Sequence, residues 1–161
     1  MADGKTEFIK PPNTLKSKVS SSGPNAVDLS ALERAEQVMV GLSDNYLEWV
    51  QEDLQKLDKA YVALNQASGD RTSEVDAVFQ ASHDLKSQGG SFGYDMMTAI
   101  GYELCRLIEK AGSIGPGEME AINLHINAMK LVIAEDIKGE GGEQGKQMLS
   151  GLQQVCEKLL A

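Results

Sequence analysis

From Tyr46 to Leu64 the apolar residues Tyr46, Leu47, Val50, Leu54, Leu57, Tyr61 and Leu64 recur three and four positions apart. Such spacing lays them along one side of a helix with about 3.6 residues per turn, so the segment has one apolar stripe to bury and a polar side to leave in water. The pattern returns in Met97, Ile100, Leu104, Leu107 and Ile108, in Met119, Ile122, Ile126, Met129 and Ile133, and in Met148, Leu152, Val155, Cys156 and Leu159. A chain built of such stripes can bury them only by packing helix on helix, which makes the expected fold class all-α.

Punctuation between the stripes divides the chain. A short helix is expected from about Ser30 to Leu42, and Ser43 is read as the N-cap of a long helix reaching about Ala67. The Ser68-Gly69-Asp70 turn ends it, with Thr72 or Ser73 as the next cap. Gly93 and Asp95 mark a further boundary, Gly112 a stop, and Pro116 the first turn of another helix. The Gly-rich run KGEGGEQGK precedes a last helix at about 146–160. The expected architecture is an antiparallel four-helix bundle over about 44–138, with additional N- and C-terminal helices flanking it, in a single domain of residues 28–161.

Residues 1–27 differ in kind. They hold three of the four prolines (Pro11, Pro12, Pro24) and carry Lys5, Lys10, Lys16 and Lys18 against Asp3 and Glu7. Lacking a core-forming pattern, they are expected to be a flexible polar tail.

The net charge of −9 argues against a nucleic-acid groove, which needs clustered Lys and Arg to displace phosphate counterions. Cys105 and Cys156 fall in helical apolar patterns without metal-ligand spacing, so both are expected to be buried free thiols. There is no run of about eighteen apolar residues and no apolar leader, so a cytoplasmic protein that does not span a membrane is expected.

The segment His83-Asp84-Leu85-Lys86-Ser87-Gln88-Gly89-Gly90-Ser91-Phe92-Gly93 breaks the helical routine. Two adjacent glycines cost a helix roughly 0.5–1 kcal/mol each relative to alanine, so something should offset them. A wheel at about 100° per residue gathers Val78, Ala81, Leu85, Gly89 and Phe92 on the core side and turns His83 to solvent, with Phe79 about 40° from it. Gly90 falls on the histidine side, where a missing side chain lets another surface come close. An accessible neutral imidazole is a nucleophile near neutral pH, and a lysine one turn on can neutralise phosphoryl oxygens. His125, beside the Met119–Ile126 stripe, has no partner histidine at ligand spacing and is read as a boundary residue without chemistry, and no metal site is expected.

With those residues in place, His83-Asp84-Leu85-Lys86-Ser87 followed by Gly93 resembles the histidine-containing phosphotransfer domain of two-component phosphorelays. Its motif reads His, any residue, Leu, Lys or Arg, Gly, then small residues ending in Gly. The resemblance covers about residues 30–138 and implies a four-helix bundle. It implies that His83 accepts a phosphoryl group from a receiver-domain phosphoaspartate and relays it to another receiver domain. Lys86 is then the charge neighbour, Phe79, Ser87 and Gly90 belong to the partner-docking face, and Gly93 closes the motif. Ser87 stands where the family usually has glycine; it is still small and can offer a hydrogen bond to a phosphoryl oxygen.

The implied partners are response-regulator receiver domains and a hybrid histidine kinase, with Mg on the receiver and no cofactor on this chain. A monomeric phosphoryl carrier without autokinase activity is expected, since no P-loop pattern is present. The competing expectation is a non-phosphorylated helical adaptor that binds a receiver or kinase domain.

Overall fold

The computed structural model describes Gly23, Ala26 and residues 28–161; the expected tail at 1–27 lies almost wholly outside the described residues. Chain contacts divide the molecule into a unit of residues 1–41 and a unit of residues 42–161. Among the described residues five α-helices follow one another: α1 (Leu29–Gln66), α2 (Thr72–Gly89), α3 (Asp95–Lys110), α4 (Pro116–Ala134) and α5 (Gly142–Leu160), with a 3-10 turn at Gly90–Phe92 after α2. None of them is long and apolar enough to cross a membrane.

In the unit of residues 42–161, α2 packs on α3, α3 on α4, and α5 on both α3 and α4. The stripes read from the sequence meet in one core. Leu57 and Leu64 of α1, Val78 and Leu85 of α2, Met97, Ile100, Leu104 and Leu107 of α3, and Ile122, Ile126, Met129 and Val132 of α4 are all essentially inaccessible to water. Burying a side chain of this size stabilises the fold by roughly 1.5–3 kcal/mol. Asp58 of α1 and Lys130 of α4 add an exposed ion pair at 2.6 Å, a minor contribution in water.

Several boundaries differ from expectation. Ser43 is no cap: α1 runs unbroken from Leu29 to Gln66, so the expected N-terminal flanking helix and the first bundle helix are one element. No proline interrupts the segment, and one glycine, Gly41, costs only about 1 kcal/mol, too little to stop a helix already growing on both sides. Leu47 remains exposed while Tyr46 and Val50 take the core positions. The N-cap of α2 is neither Thr72 nor Ser73 but Arg71, which makes no side-chain cap hydrogen bond; Asp70 Oδ1, one residue earlier, accepts the Thr72 N–H at 3.0 Å and the Thr72 hydroxyl at 2.6 Å. α5 begins at Gly142, inside the Gly-rich run. Pro116 and Asp95 open their helices where the sequence places them.

Between α2 and α3 the chain turns in a small aromatic cluster. Phe92 stacks on Tyr46 of α1 at 4.5 Å between ring centroids, Tyr94 lies 5.2 Å from Tyr46, and Trp49 meets Phe92 edge-on at 6.5 Å. Burial pushes the Tyr46 phenol up to about 12. Gly93, at φ +80°, takes the left-handed conformation that lets the chain reverse, and the Gly139 N–H donates to its carbonyl at 2.7 Å. Tyr94 donates its hydroxyl to Asp136 at 2.6 Å, and the Lys138 ammonium sits 3.7 Å above the Tyr94 ring.

His125 is not a boundary residue but a core one, fully buried in α4. Its Nδ1 lies 2.7 Å from the Ala121 carbonyl, which can only accept, so Nδ1 carries the proton and Nε2 faces the Cys156 thiol at 3.6 Å. Cys105 and Cys156 are both buried and free, as expected, and burial raises both thiols above their ordinary range.

Gly89 is a point of backbone contact. A Cβ built there would stand 2.7 Å from the Met97 Cβ and 2.8 Å from the Tyr94 carbonyl oxygen, whereas at Gly90 the nearest atoms are 3.5 and 3.6 Å away. Gly89→Ala should therefore lower stability by about 1–3 kcal/mol in urea unfolding, the range for forced overpacking, while Gly90→Ala leaves it unchanged or higher. Burial also depresses the His125 pKa. A group depressed on folding contributes stability that is present above its unfolded value, about 6.5, and lost as pH falls through the folded one. The urea midpoint should drop between pH 7 and pH 5, and His125→Gln should flatten that slope; an equally steep slope in the variant would contradict the assignment.

Candidate functional site

α2 carries the candidate residues on its outward side. Val78, Ser82, Leu85 and Gly89 are buried and His83 is exposed, its side chain at 46% of full accessibility, the orientation given by the helical wheel. The His83 Nδ1 lies 4.0 Å from Asp84 Oδ1, and Asp84 is in turn held by the Gln80 side-chain amide at 3.0 Å. Phe79 is partly buried one turn earlier, its ring centroid 6.2 Å from the imidazole and tilted by 31°. His83 thus has an aromatic on one side and open solvent on another.

Lys86 stands one turn after His83, and what places it is a glycine on the neighbouring helix. A Cβ at Gly101 of α3 would come within 2.7 Å of the Lys86 Cβ and 3.1 Å of its Cα, so α2 and α3 touch almost backbone to side-chain root at this level. The same contact brings α3 residues to the histidine. His83 and Lys86 share a cleft with Tyr102, Arg106 and Lys110. Arg106 is already committed: its Nε and Nη2 donate to Glu103 Oε2 at 3.0 and 2.6 Å, and Glu103 is itself buried. Lys86 and Lys110 enter no ion pair among the described residues, so two cations of the cleft remain available to an anion, although the exposed Glu109 carboxylate lines the same cleft.

Ser87 and Gly90 occupy the same outward side. The Ser87 hydroxyl donates to the His83 carbonyl at 2.8 Å, so its one proton is spent within the helix and a ligand oxygen would have to compete for it. Gly90 is exposed, and its N–H donates to Thr98 Oγ1 at 2.9 Å. Thr98 in turn donates to the Lys86 carbonyl at 2.8 Å. One hydroxyl on α3 therefore satisfies two backbone groups at the end of the histidine helix. Gly101, Thr98, Arg106 and Lys110 were not singled out in the sequence. Gly101 interrupts the Met97–Ile108 stripe, and that interruption is the one signal that could have pointed to a close helix crossing.

Among the described residues no three His, Cys, Asp or Glu side chains gather as a metal site would require. What the arrangement offers is a single exposed imidazole, beside Asp84 and in one cleft with Lys86, Lys110 and Glu109, on a face kept low by serine and glycine. A helical bundle that presents a nucleophile in this way, with no pocket enclosing it, suits chemistry completed by a second protein. Residues 41–137 match the family model described as the Hpt domain, and the chain belongs to that family. No curated protein matches the chain, and no solved structure does.

Thr98→Val keeps the shape of the side chain and removes both hydrogen bonds. It should cost about 1 kcal/mol of stability, and hydrogen exchange should speed up at the Gly90 amide while the amides in the middle of α3 stay protected. Unaltered exchange at Gly90 would show that Thr98 does not hold this end of α2.

Proposed function

We propose that this Hpt-domain protein is a phosphoryl carrier whose acceptor is His83, taking the group from a phosphoaspartate on one receiver domain and passing it to another. The observation that carries the reading is the pairing of an exposed His83 with uncommitted lysines, Lys86 and Lys110, in one cleft of an acidic protein. Hpt domains are phosphocarriers in phosphorelays, and the family match supports this reading.

The Nδ1 of His83 faces the Asp84 carboxylate, leaving Nε2 as the nitrogen directed to a donor. Its lone pair attacks phosphorus in line with the acyl-phosphate oxygen; the N–P bond forms, the P–O bond to the aspartate breaks, and the aspartate leaves as a carboxylate. The proton on Nδ1 stays on the ring, and the positive charge the ring acquires lies beside Asp84. Lys86 and Lys110 offset the phosphoryl oxygens. The receiver is expected to supply Mg and its acidic pocket, so this chain contributes the nucleophile and a surface to dock on. Cytoplasmic placement and a hybrid histidine kinase at the head of the relay belong to the same proposal.

His83→Gln should abolish label transfer from a panel of phosphorylated receiver domains while circular dichroism stays the same, because an exposed side chain leaves no cavity. His125→Gln should still accept the label. The phosphate on the wild type should be labile in acid and stable in base; its absence would favour the adaptor reading. Lys86→Ala should slow transfer by about tenfold without preventing it, because Lys110 remains and an exposed cation contributes less than a buried, preorganised donor. An unchanged transfer rate and phosphohistidine lifetime would remove Lys86 from the site.

A further inference from the structure

The family match ends at residue 137, so α5 lies outside it. α5 anchors itself through Leu152 and Cys156, both buried, yet on its flank Leu149 and Gln153 line an open groove of about 830 Å³. Ser87 and Gly90 from the end of the histidine helix, and Ala99 and Tyr102 from α3, form the other walls. Lys86 and Tyr102 line both this groove and the His83 cleft, so the two run into each other.

We infer that the groove receives an apolar side chain of the receiver domain that docks over His83, and that α5 thereby takes part in choosing the partner. The inference rests on the phosphorelay reading and names what selects the partner at that same site. A specific protein contact covers roughly 800 Å² on each side, a patch far wider than one histidine and its cleft. A footprint of that size centred on His83 extends over the groove that opens beside it. The groove is also built to hold a shape. Gln153 donates to Glu103 Oε1 at 3.3 Å, and Glu103 is locked by Arg106 at 2.6 Å, so the floor is fixed before a partner arrives. Its surface is mainly apolar, which suits a buried anchor. Asp95 and Lys86 both line the groove and enter no ion pair among the described residues, so a basic partner residue is favoured beside Asp95 and an acidic one beside Lys86.

The test uses the receiver domain that exchanges phosphoryl groups fastest with the wild-type chain. Its half-saturating concentration and saturating transfer rate are measured against the wild type, Leu149→Glu, which puts a charge in the groove, and Ala99→Trp, which fills it. Circular dichroism melting identifies any variant that fails to fold, and the other then decides. The half-saturating concentration should rise by about tenfold or more, with the saturating rate within about twofold of the wild type. A folded variant that docks as well as the wild type, or that loses only the saturating rate, overturns the inference. Labelling of wild-type His83 by phosphoramidate, a small donor that needs no docking, separates the two levels. Without it the phosphorelay reading falls; with it and unchanged docking, only the role of α5 falls.

Discussion

The close crossing of α2 and α3 is the contact on which the rest of the site depends. Gly89 lets α2 approach Tyr94 and the first turn of α3, and Gly101 lets Lys86 lie against α3 about one turn further along. With both side chains missing, the two backbones come near enough for the Thr98 hydroxyl to bridge the Lys86 carbonyl and the Gly90 amide. These bonds hold the last turn of α2, and the direction of His83 follows from that of its helix. The weak helix propensity of the paired glycines is thus offset in two ways: by close packing at Gly89, and by a side-chain acceptor at Gly90.

The crossing also sets the local charge. The chain as a whole is acidic, yet α3 brings Arg106 and Lys110 to the side of α2 that already carries Lys86. Glu103 neutralises Arg106 from inside the fold, and Lys86 and Lys110 line the histidine cleft together with one exposed carboxylate, Glu109. A protein of net charge −9 therefore brings two lysines without ion pairs among the described residues to the place where, in the phosphorelay reading, a dianionic group is held. Away from that place the acidic surface favours a basic partner face.

The two histidines show how burial sorts one side chain into two kinds of chemistry. His125 donates to a backbone carbonyl, faces a thiol, and is held neutral by burial, so it acts as a satisfied core residue. His83 sits on an open surface, where its free nitrogen can meet a partner. Their difference lies in which face of the helix each occupies, and for His125 the apolar stripe of α4 gave an incomplete account. That helix is enclosed on two sides, by α3 and α5, and a residue at the margin of one stripe is covered by the other neighbour.

The amino-acid sequence alone determined what local backbone physics controls: the all-α class, the boundary at Gly93, the starts of α3 and α4 at Asp95 and Pro116, and the outward turn of His83 against the inward turn of Leu85 and Gly89. Each of these depends on periodicity within one helix or on one residue's φ preference. It misread Ser43, because capping preference is worth about 1 kcal/mol and a helix that continues through the position outweighs it. Only the tertiary structure decided that Gly101 backs Lys86, that Thr98 closes the end of α2, that Arg106 and Lys110 converge on His83, that His125 is fully buried, and that Leu149 borders the site. Those facts require knowing which helices touch and at what height. The contacts that set crossing and register join residues far apart in the chain, and helical periodicity shows which face a residue takes without showing what that face meets.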